Sequence, residues 1–320
     1  MKKELGIFVL LVVLCAVTGF ENPRFFSQTN LVNMANIIGL FGIFSLGAGL
    51  VIITSGIDLS VGSMIALIGM LLVMALTDWH WAWPLGLLFV AVVAMALGLA
   101  HGFLITRFGM QPFIVTLCGL LLYRGVARFI ANDTTKGFGS DQEFTTLRSL
   151  TSGSLHGLPM PFVLLVVISV IMWIVLHRSV YGRYLLAVGR NEEAARFSGI
   201  NTRLVISSSY VVAALLTGIS GVLFAFYTNS VSPSTHGNFY ELYGIAAAVL
   251  GGCSLRGGEG SVIGILIGVA LLQVLQNLVN LLGIPSSLNF AVMGAVVLIG
   301  VLADQIFQKR AAKRLTRQPK

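Results

Sequence analysis

Residues 36–53 read Asn36-Ile37-Ile38-Gly39-Leu40-Phe41-Gly42-Ile43-Phe44-Ser45-Leu46-Gly47-Ala48-Gly49-Leu50-Val51-Ile52-Ile53, without a single charged side chain. At 1.5 Å rise per residue, a helix of about 20 apolar residues crosses the ~30 Å hydrocarbon core of a bilayer. Comparable runs recur outward in both directions, near 5–20, 63–77, 84–106, 112–131, 161–177, 204–227, 240–252, 261–281 and 288–303. The sequence therefore predicts about ten transmembrane helices. The run at 240–252 is short for a full crossing, which leaves a broken or re-entrant helix open there.

Composition agrees. The 320 residues are 56% hydrophobic and only 10% charged, with a mean hydropathy of +0.91, so the apolar surface cannot all be hidden from water. We read an all-α polytopic bundle, one membrane domain over residues 1–320, and no soluble domain. The 36 glycines fit this reading, because small residues let helix backbones approach closely in lipid.

The distribution of basic residues tests the count, since an error of one span would swap the sides of every later loop. With the N-terminus inside, the inner segments hold Lys2, Lys3, Arg107, Arg178, Arg183, Arg190, Arg196, Arg203, Arg256 and the six basic residues of the tail at 304–320. The outer loops hold Arg24, Lys136 and Arg148, and Arg124 and Arg128 lie toward the outer end of the fifth span, where long side chains can snorkel. Both termini are expected to be cytoplasmic. The net charge of +8 follows from topology rather than from a nucleic-acid-binding face. The start, Lys2-Lys3 followed by Leu5 to Phe20, reads as an uncleaved first span because no small-x-small cleavage site is well placed.

Several chemistries are excluded. Cys15, Cys118 and Cys253 form neither a disulfide framework nor metal spacing, and the five histidines stand apart on different segments. No paired acid/base group for bond cleavage is visible. No Gly-x-x-x-x-Gly-Lys-Ser/Thr cradle exists, so the chain carries no phosphate loop of its own, and ATP-driven work must come from another subunit. An ion-coupled secondary transporter would usually bury several ionisable residues. Here the candidates reduce to Asp58, with Glu241 at an outer helix start and Arg124 and Arg128 near the surface.

Three segments depart from the apolar background. Thr54-Ser55-Gly56-Ile57-Asp58-Leu59-Ser60-Val61-Gly62-Ser63 interrupts the chain after the second span, and Gly251-Gly252-Cys253-Ser254-Leu255-Arg256-Gly257-Gly258-Glu259-Gly260-Ser261 interrupts it after the eighth. Gly-broken segments often line a cavity or hinge in transporters. The plainer alternatives are that Asp58 or Ser60 caps the third span and that the second segment is an inner turn. The third segment is the inner loop 178–203. In it Asn191 suits a helix N-cap, Glu192 and Glu193 complement the helix dipole, Arg196 sits near the end and Gly199 suits a left-handed stop. A two-turn helix this short needs support, from a partner protein or from the membrane surface; Ala194 and Ala195 offer a packing face, Phe197 and Ile200 anchors. On the outer side, residues 132–160 form a long polar loop suited to receiving another protein or covering a vestibule.

At these residues the sequence resembles permease subunits of bacterial ABC importers for sugars of the ribose, xylose and galactoside class, essentially end to end. Gly56 through Ser63, Pro112-Phe113-Ile114-Val115-Thr116-Leu117, Gly182 through Ile200, and Gly251 through Ser261 resemble four family motifs in order. Cys118 and Cys253 depart from the expected small residues. The resemblance implies a bacterial inner-membrane complex of two permeases, a cytoplasmic ATPase that holds ATP and magnesium, and a periplasmic sugar-binding protein. It implies a coupling loop at Arg190, Asn191, Glu192, Glu193, Ala194, Ala195, Arg196 and Gly199. It also directs attention to Gly56, Asp58, Ser60, Gly62, Thr116, Gly251, Gly252 and Ser254 as a translocation pathway or hinge. No cofactor or metal is expected on this chain. The expected activity is alternating-access import of a monosaccharide, and the rival is an ion-coupled secondary transporter of a small polar solute.

Overall fold

A computed structural model describes residues 2–139 and 144–285, with a few single positions between 288 and 298. The predicted tenth span lies largely outside the described residues, and the basic tail wholly so. The long helices are α1 (Lys2–Glu21), α2 (Gln28–Ile53), α3 (Val61–Thr77), α4 (Trp83–Phe108) and α5 (Pro112–Ile130). After a short strand β1 (Lys136–Gly137), a two-turn α6 (Thr145–Thr151) and a small hairpin β2 (Ser154–Leu155) and β3 (Leu158–Pro159), α7 (Met160–Trp173) continues through a π-helical turn to Arg178. Then come α8 (Val180–Arg190), α9 (Glu192–Phe197), α10 (Thr202–Thr228), β4 (Ser230–Val231), α11 (Tyr240–Leu250) and α12 (Val262–Leu281). Among the described residues, seven helices are long and apolar enough to cross a membrane, while α3 and α11 are shorter.

The chain is a helical bundle wrapped around α2. Every residue from Gly39 to Ile53 is buried, because α2 places a glycine wherever a neighbour crosses. Gly39 lies against the backbone of Pro161 and Phe162, Gly42 against Leu165, Gly47 against Ala213 and Gly49 against Ile265 and Ala248, so α7, α10 and α12 all approach it closely. The crossing of α4 and α10 repeats the device: Gly98 meets Tyr210, Val211 and Ala214, Gly102 meets Ser207, and Gly218 meets Ala94. Peripheral α1 is the opposite case, exposing Phe8, Val12 and Phe20 as a lipid-facing helix would.

The two ends of the bundle differ. At one end Ser261 donates to Glu4 at 2.5 Å, which brings the start of α1 beside the head of α12. At the other, Asn22 reaches the Leu281 carbonyl (3.2 Å) and Asn30 and Asn277 exchange side-chain hydrogen bonds of 3.1 and 2.8 Å. At that second end the loop predicted as long and polar folds into β1, α6 and the β2–β3 hairpin, with β1 pairing antiparallel to β4. Lys136 pairs with Asp78 there, and Arg148 donates to Asn229 at 2.9 Å.

Candidate functional site

The site begins where α2 stops. Ser55 takes a left-handed conformation (φ 65°), and the Gly56 N–H closes back on the Val51 carbonyl at 2.9 Å. From Gly56 to Ser60 the chain is not helical, yet it is mostly buried, so its backbone needs partners. The Ile57 carbonyl accepts from Thr116 of α5 (3.2 Å) and Tyr210 of α10 (3.4 Å). Asp58 folds onto the start of α3, its Oδ1 accepting the Ser60 N–H at 2.8 Å and the Ser60 hydroxyl at 2.7 Å. Ser60 stands at the N-cap position but its side chain makes no cap hydrogen bond, so Asp58 is the residue that closes this turn.

The broken stretch climbs through the bundle. Gly62 lies against Gly237 and the Glu241 carboxylate at the head of α11, while Ile53 and Ser55 lie against Gly258 and Arg256 just past its foot. Because α11 has 11 residues, about 16 Å of helix separates those levels. Residues 232–239 descend in the same way from β4 to the head of α11, so α3 and α11 begin where two non-helical stretches meet inside the bundle. The shortness of the eighth predicted span is thus real, and the third shares it.

One charge moves relative to the sequence reading. Arg128 reaches outward to Asp133 at 2.6 Å, as a snorkelling side chain should. Arg124 does not: it turns inward and donates to the carbonyls of Pro233 (3.1 Å) and His236 (2.7 Å), pinning the descending stretch. The cause is supply, since a non-helical backbone among helices leaves carbonyl oxygens that only a nearby donor can satisfy. Deeper in, the Tyr123 hydroxyl lies 2.8 Å from His101 Nε2, and Tyr210 stacks edge-on to the same imidazole.

At the opposite level three sequence-separated segments converge. The α2 terminus, the end of α8 and the Gly-rich segment meet backbone to backbone: Gly258 N–H donates to the Ile53 carbonyl at 2.9 Å, and Gly189 packs on Ile53 where a Cβ has no room. The Ser55 hydroxyl lies 3.0 Å from the Gly189 carbonyl and 2.9 Å from that of Arg256. Gly251 packs against Gly264 of α12, Gly252 (φ 93°) ends α11, and Ser254 accepts the Arg256 N–H at 3.2 Å. Those three residues shape a turn.

From this junction α8 and α9 project as a helical pair. Asn191 accepts the Ala194 N–H at 2.9 Å and Gly199 (φ 84°) ends the short helix, as the capping pattern predicts. Ala195 faces inward and is buried; Glu192, Glu193, Ala194 and Arg196 face out, and Phe197 is 84% exposed. Sequence reasoning missed α8, which buries Gly182, Leu185, Val188 and Gly189 and is capped by Ser179. The 3–4 spacing of those buried residues was the available signal. Ser55, His101, Tyr123 and Arg124 as contact residues also went unread. Among the described residues no group of His, Cys, Asp or Glu could hold a metal ion.

A bundle of long apolar helices with two internal breaks and a projecting helix pair defines a polytopic integral membrane protein of the transport type. The chain matches the family model described as branched-chain amino acid transport system / permease component over residues 30–301, and it belongs to that family. It is similar to the ribose import permease protein RbsC of Bacillus subtilis (37% identical, covering 95% of this chain and 93% of that one) and to RbsC of Escherichia coli K12 (36%, 92% of each). The D-allose transport system permease protein AlsC of Escherichia coli K12 is 29% identical over 95% of this chain and 92% of its own. No solved structure matches the chain.

Proposed function

We propose that this chain is the membrane-spanning permease subunit of an ATP-driven importer that carries a monosaccharide from periplasm to cytoplasm. The relatives named for ribose and allose support a sugar cargo. The observation that carries the mechanism is the projecting α8–α9 pair, whose outer face is solvent-exposed and whose base is joined to the break between α2 and α3. A cytoplasmic ATPase holding ATP and magnesium docks on Arg190, Asn191, Glu192, Glu193, Ala194 and Arg196, and its closure shifts the bundle between outward- and inward-open states.

The remaining organisation follows from this orientation. The chain has ten spans in a bacterial inner membrane, both termini are cytoplasmic, and 178–203 is the coupling loop. The region at 132–160 receives a periplasmic sugar-binding protein, and a second permease copy completes the pathway. Gly56, Asp58, Ser60, Gly62 and Thr116 form the hinge beside that pathway, while Gly251, Gly252 and Ser254 brace its inner edge. Expressed with its ATPase and binding protein in proteoliposomes, the complex is expected to accumulate a pentose or hexose only with ATP. Glu193→Arg should leave the protein inserted but abolish that uptake. Uptake that follows a proton or sodium gradient without ATP, and that is lost in Asp58→Asn, would instead establish the ion-coupled reading.

A further inference from the structure

We infer that Ser55 is the joint through which movement of the α8–α9 pair reaches the interior break, a positioning role in transport coupling that rests on the permease reading above. Three backbone segments meet at this residue. Gly189 ends the helix that carries α9, Arg256 to Gly258 follow α11, and Ile53 to Ser55 end α2. Gly189, Gly257 and Gly258 give the junction no side chains of their own, and a Cβ at Gly258 would collide with Arg190. The Ser55 hydroxyl stitches it, between carbonyls 134 and 201 residues away in the chain.

The backbone at Ser55 makes the choice of residue informative. Its φ of 65° is a left-handed conformation in which glycine is unstrained and serine is not. Helices commonly end on such a residue, and glycine is the usual one. If this position served only to stop α2, glycine would serve better; serine adds one O–H within hydrogen-bond reach of a carbonyl on each neighbouring segment. Beyond Ser55 the contacts continue without a gap. The Ile57 carbonyl is held by Thr116 and Tyr210, Asp58 closes onto Ser60, and Gly62 lies against Gly237 and Glu241. A displacement of α8 thus pulls on the non-helical stretch directly, and that stretch ends at the heads of both short helices.

The test compares wild type, Ser55→Gly and Ser55→Asn in the full complex in proteoliposomes, reading sugar uptake and ATP hydrolysis together. Ser55→Gly removes the hydroxyl while relieving the backbone, so its thermal midpoint is expected to equal or exceed that of wild type. Sugar moved per ATP hydrolysed is nonetheless expected to fall about 5-fold or more, the lower end of ordinary coupling between sites. Ser55→Asn tolerates the left-handed backbone and restores a donor, and is expected to recover part of the loss. An unchanged ratio in Ser55→Gly, or a fall in ratio matched by a fall in its thermal midpoint, overturns the inference. A wild-type complex that hydrolyses ATP without importing sugar would instead defeat the permease reading itself.

Discussion

The Tyr123 hydroxyl and His101 Nε2 lie 2.8 Å apart between α5 and α4, while the other ring nitrogen of His101 has no hydrogen-bond partner among the described residues and His101 is 2% exposed. A buried polar group left unpaired costs about 1–3 kcal/mol, whereas removing both partners of a bond is nearly neutral. Tyr123→Phe, which leaves both nitrogens of His101 unpaired, is therefore expected to destabilise the protein by about 1–3 kcal/mol. The double variant His101→Phe/Tyr123→Phe should recover most of that loss. Thermal melts in detergent distinguish the two, and a double variant no better than the single would refute the pairing.

The cap of α9 gives a local prediction. Asn191 accepts the Ala194 N–H, and loss of an N-cap side chain typically costs about 1 kcal/mol. So short a helix has little else to hold it, so Asn191→Ala is expected to speed hydrogen exchange at Ala194 and Ala195 by several-fold while Asn191→Asp retains protection. The global melting temperature should hardly move. Equal exchange in all three proteins would mean that the inward packing of Ala195, not the cap, fixes α9.

Close packing makes a sharper contrast. A Cβ on Gly102 would sit 2.6 Å from the Ser207 Cα, whereas Gly125 on α5 has open space around the same position. Overpacking a tight contact costs about 1–3 kcal/mol, and more where backbone must move. Gly102→Val is accordingly expected to reduce the folded membrane yield severely, and Gly125→Val to leave it near wild type, as read by fluorescence-detected size exclusion.

These contrasts also mark what the sequence could reveal. Long apolar runs expose their identity locally, since span length and the absence of charge are properties of adjacent residues, and the described spans fall where hydropathy puts them. The helix at 192–197 was equally legible, because Asn191, Glu192, Glu193 and Gly199 are neighbours in the chain. The Ser55 junction was not, because its partners lie 134 and 201 residues away and are backbone carbonyls, which leave no compositional trace. Arg124 was misread for the same reason: its acceptors are carbonyls 109 and 112 residues on, invisible beside the obvious inference that a cation near a span end snorkels.

At the end of the bundle opposite the α8–α9 pair, the Lys136 ammonium hydrogen-bonded to Asp78 holds the Asp78 carboxyl below the usual carboxylate range. A depressed folded pKa means the contribution is complete above the ordinary value of about 3.9 and is lost as pH falls through the folded one. The pair is partly exposed, so its worth is about 0.2–1 kcal/mol. Asp78→Asn is expected to lower the melting temperature slightly at neutral pH and not at all once wild type is acidified below its folded pKa. A gap between the two curves that persists at the lowest pH would rule out the ion pair as its source.

Arg124 pins the descending stretch at 232–239 from α5. Arg124 supplies both carbonyls of Pro233 and His236 with a donor, and its charge also acts on the buried Glu241 carboxylate. Arg124→Met removes that donor, and a buried carbonyl left unpaired costs about 1–3 kcal/mol; it also removes the positive charge felt at Glu241. Two costs are thus combined, and they separate by substitution. Adding Glu241→Gln to Arg124→Met removes the charge imbalance but not the unpaired carbonyls, so it should rescue part of the stability and none of the anchoring. The anchoring is read by hydrogen exchange at the His236 and Asn238 amides, which donate to the Ser232 and Thr235 carbonyls within the stretch. Both amides should exchange faster in Arg124→Met and no more slowly once Glu241→Gln is added. If the Arg124→Met/Glu241→Gln protein restored both melting temperature and protection of these amides, charge balance alone would hold the head of α11, and the two carbonyl hydrogen bonds would be incidental to it.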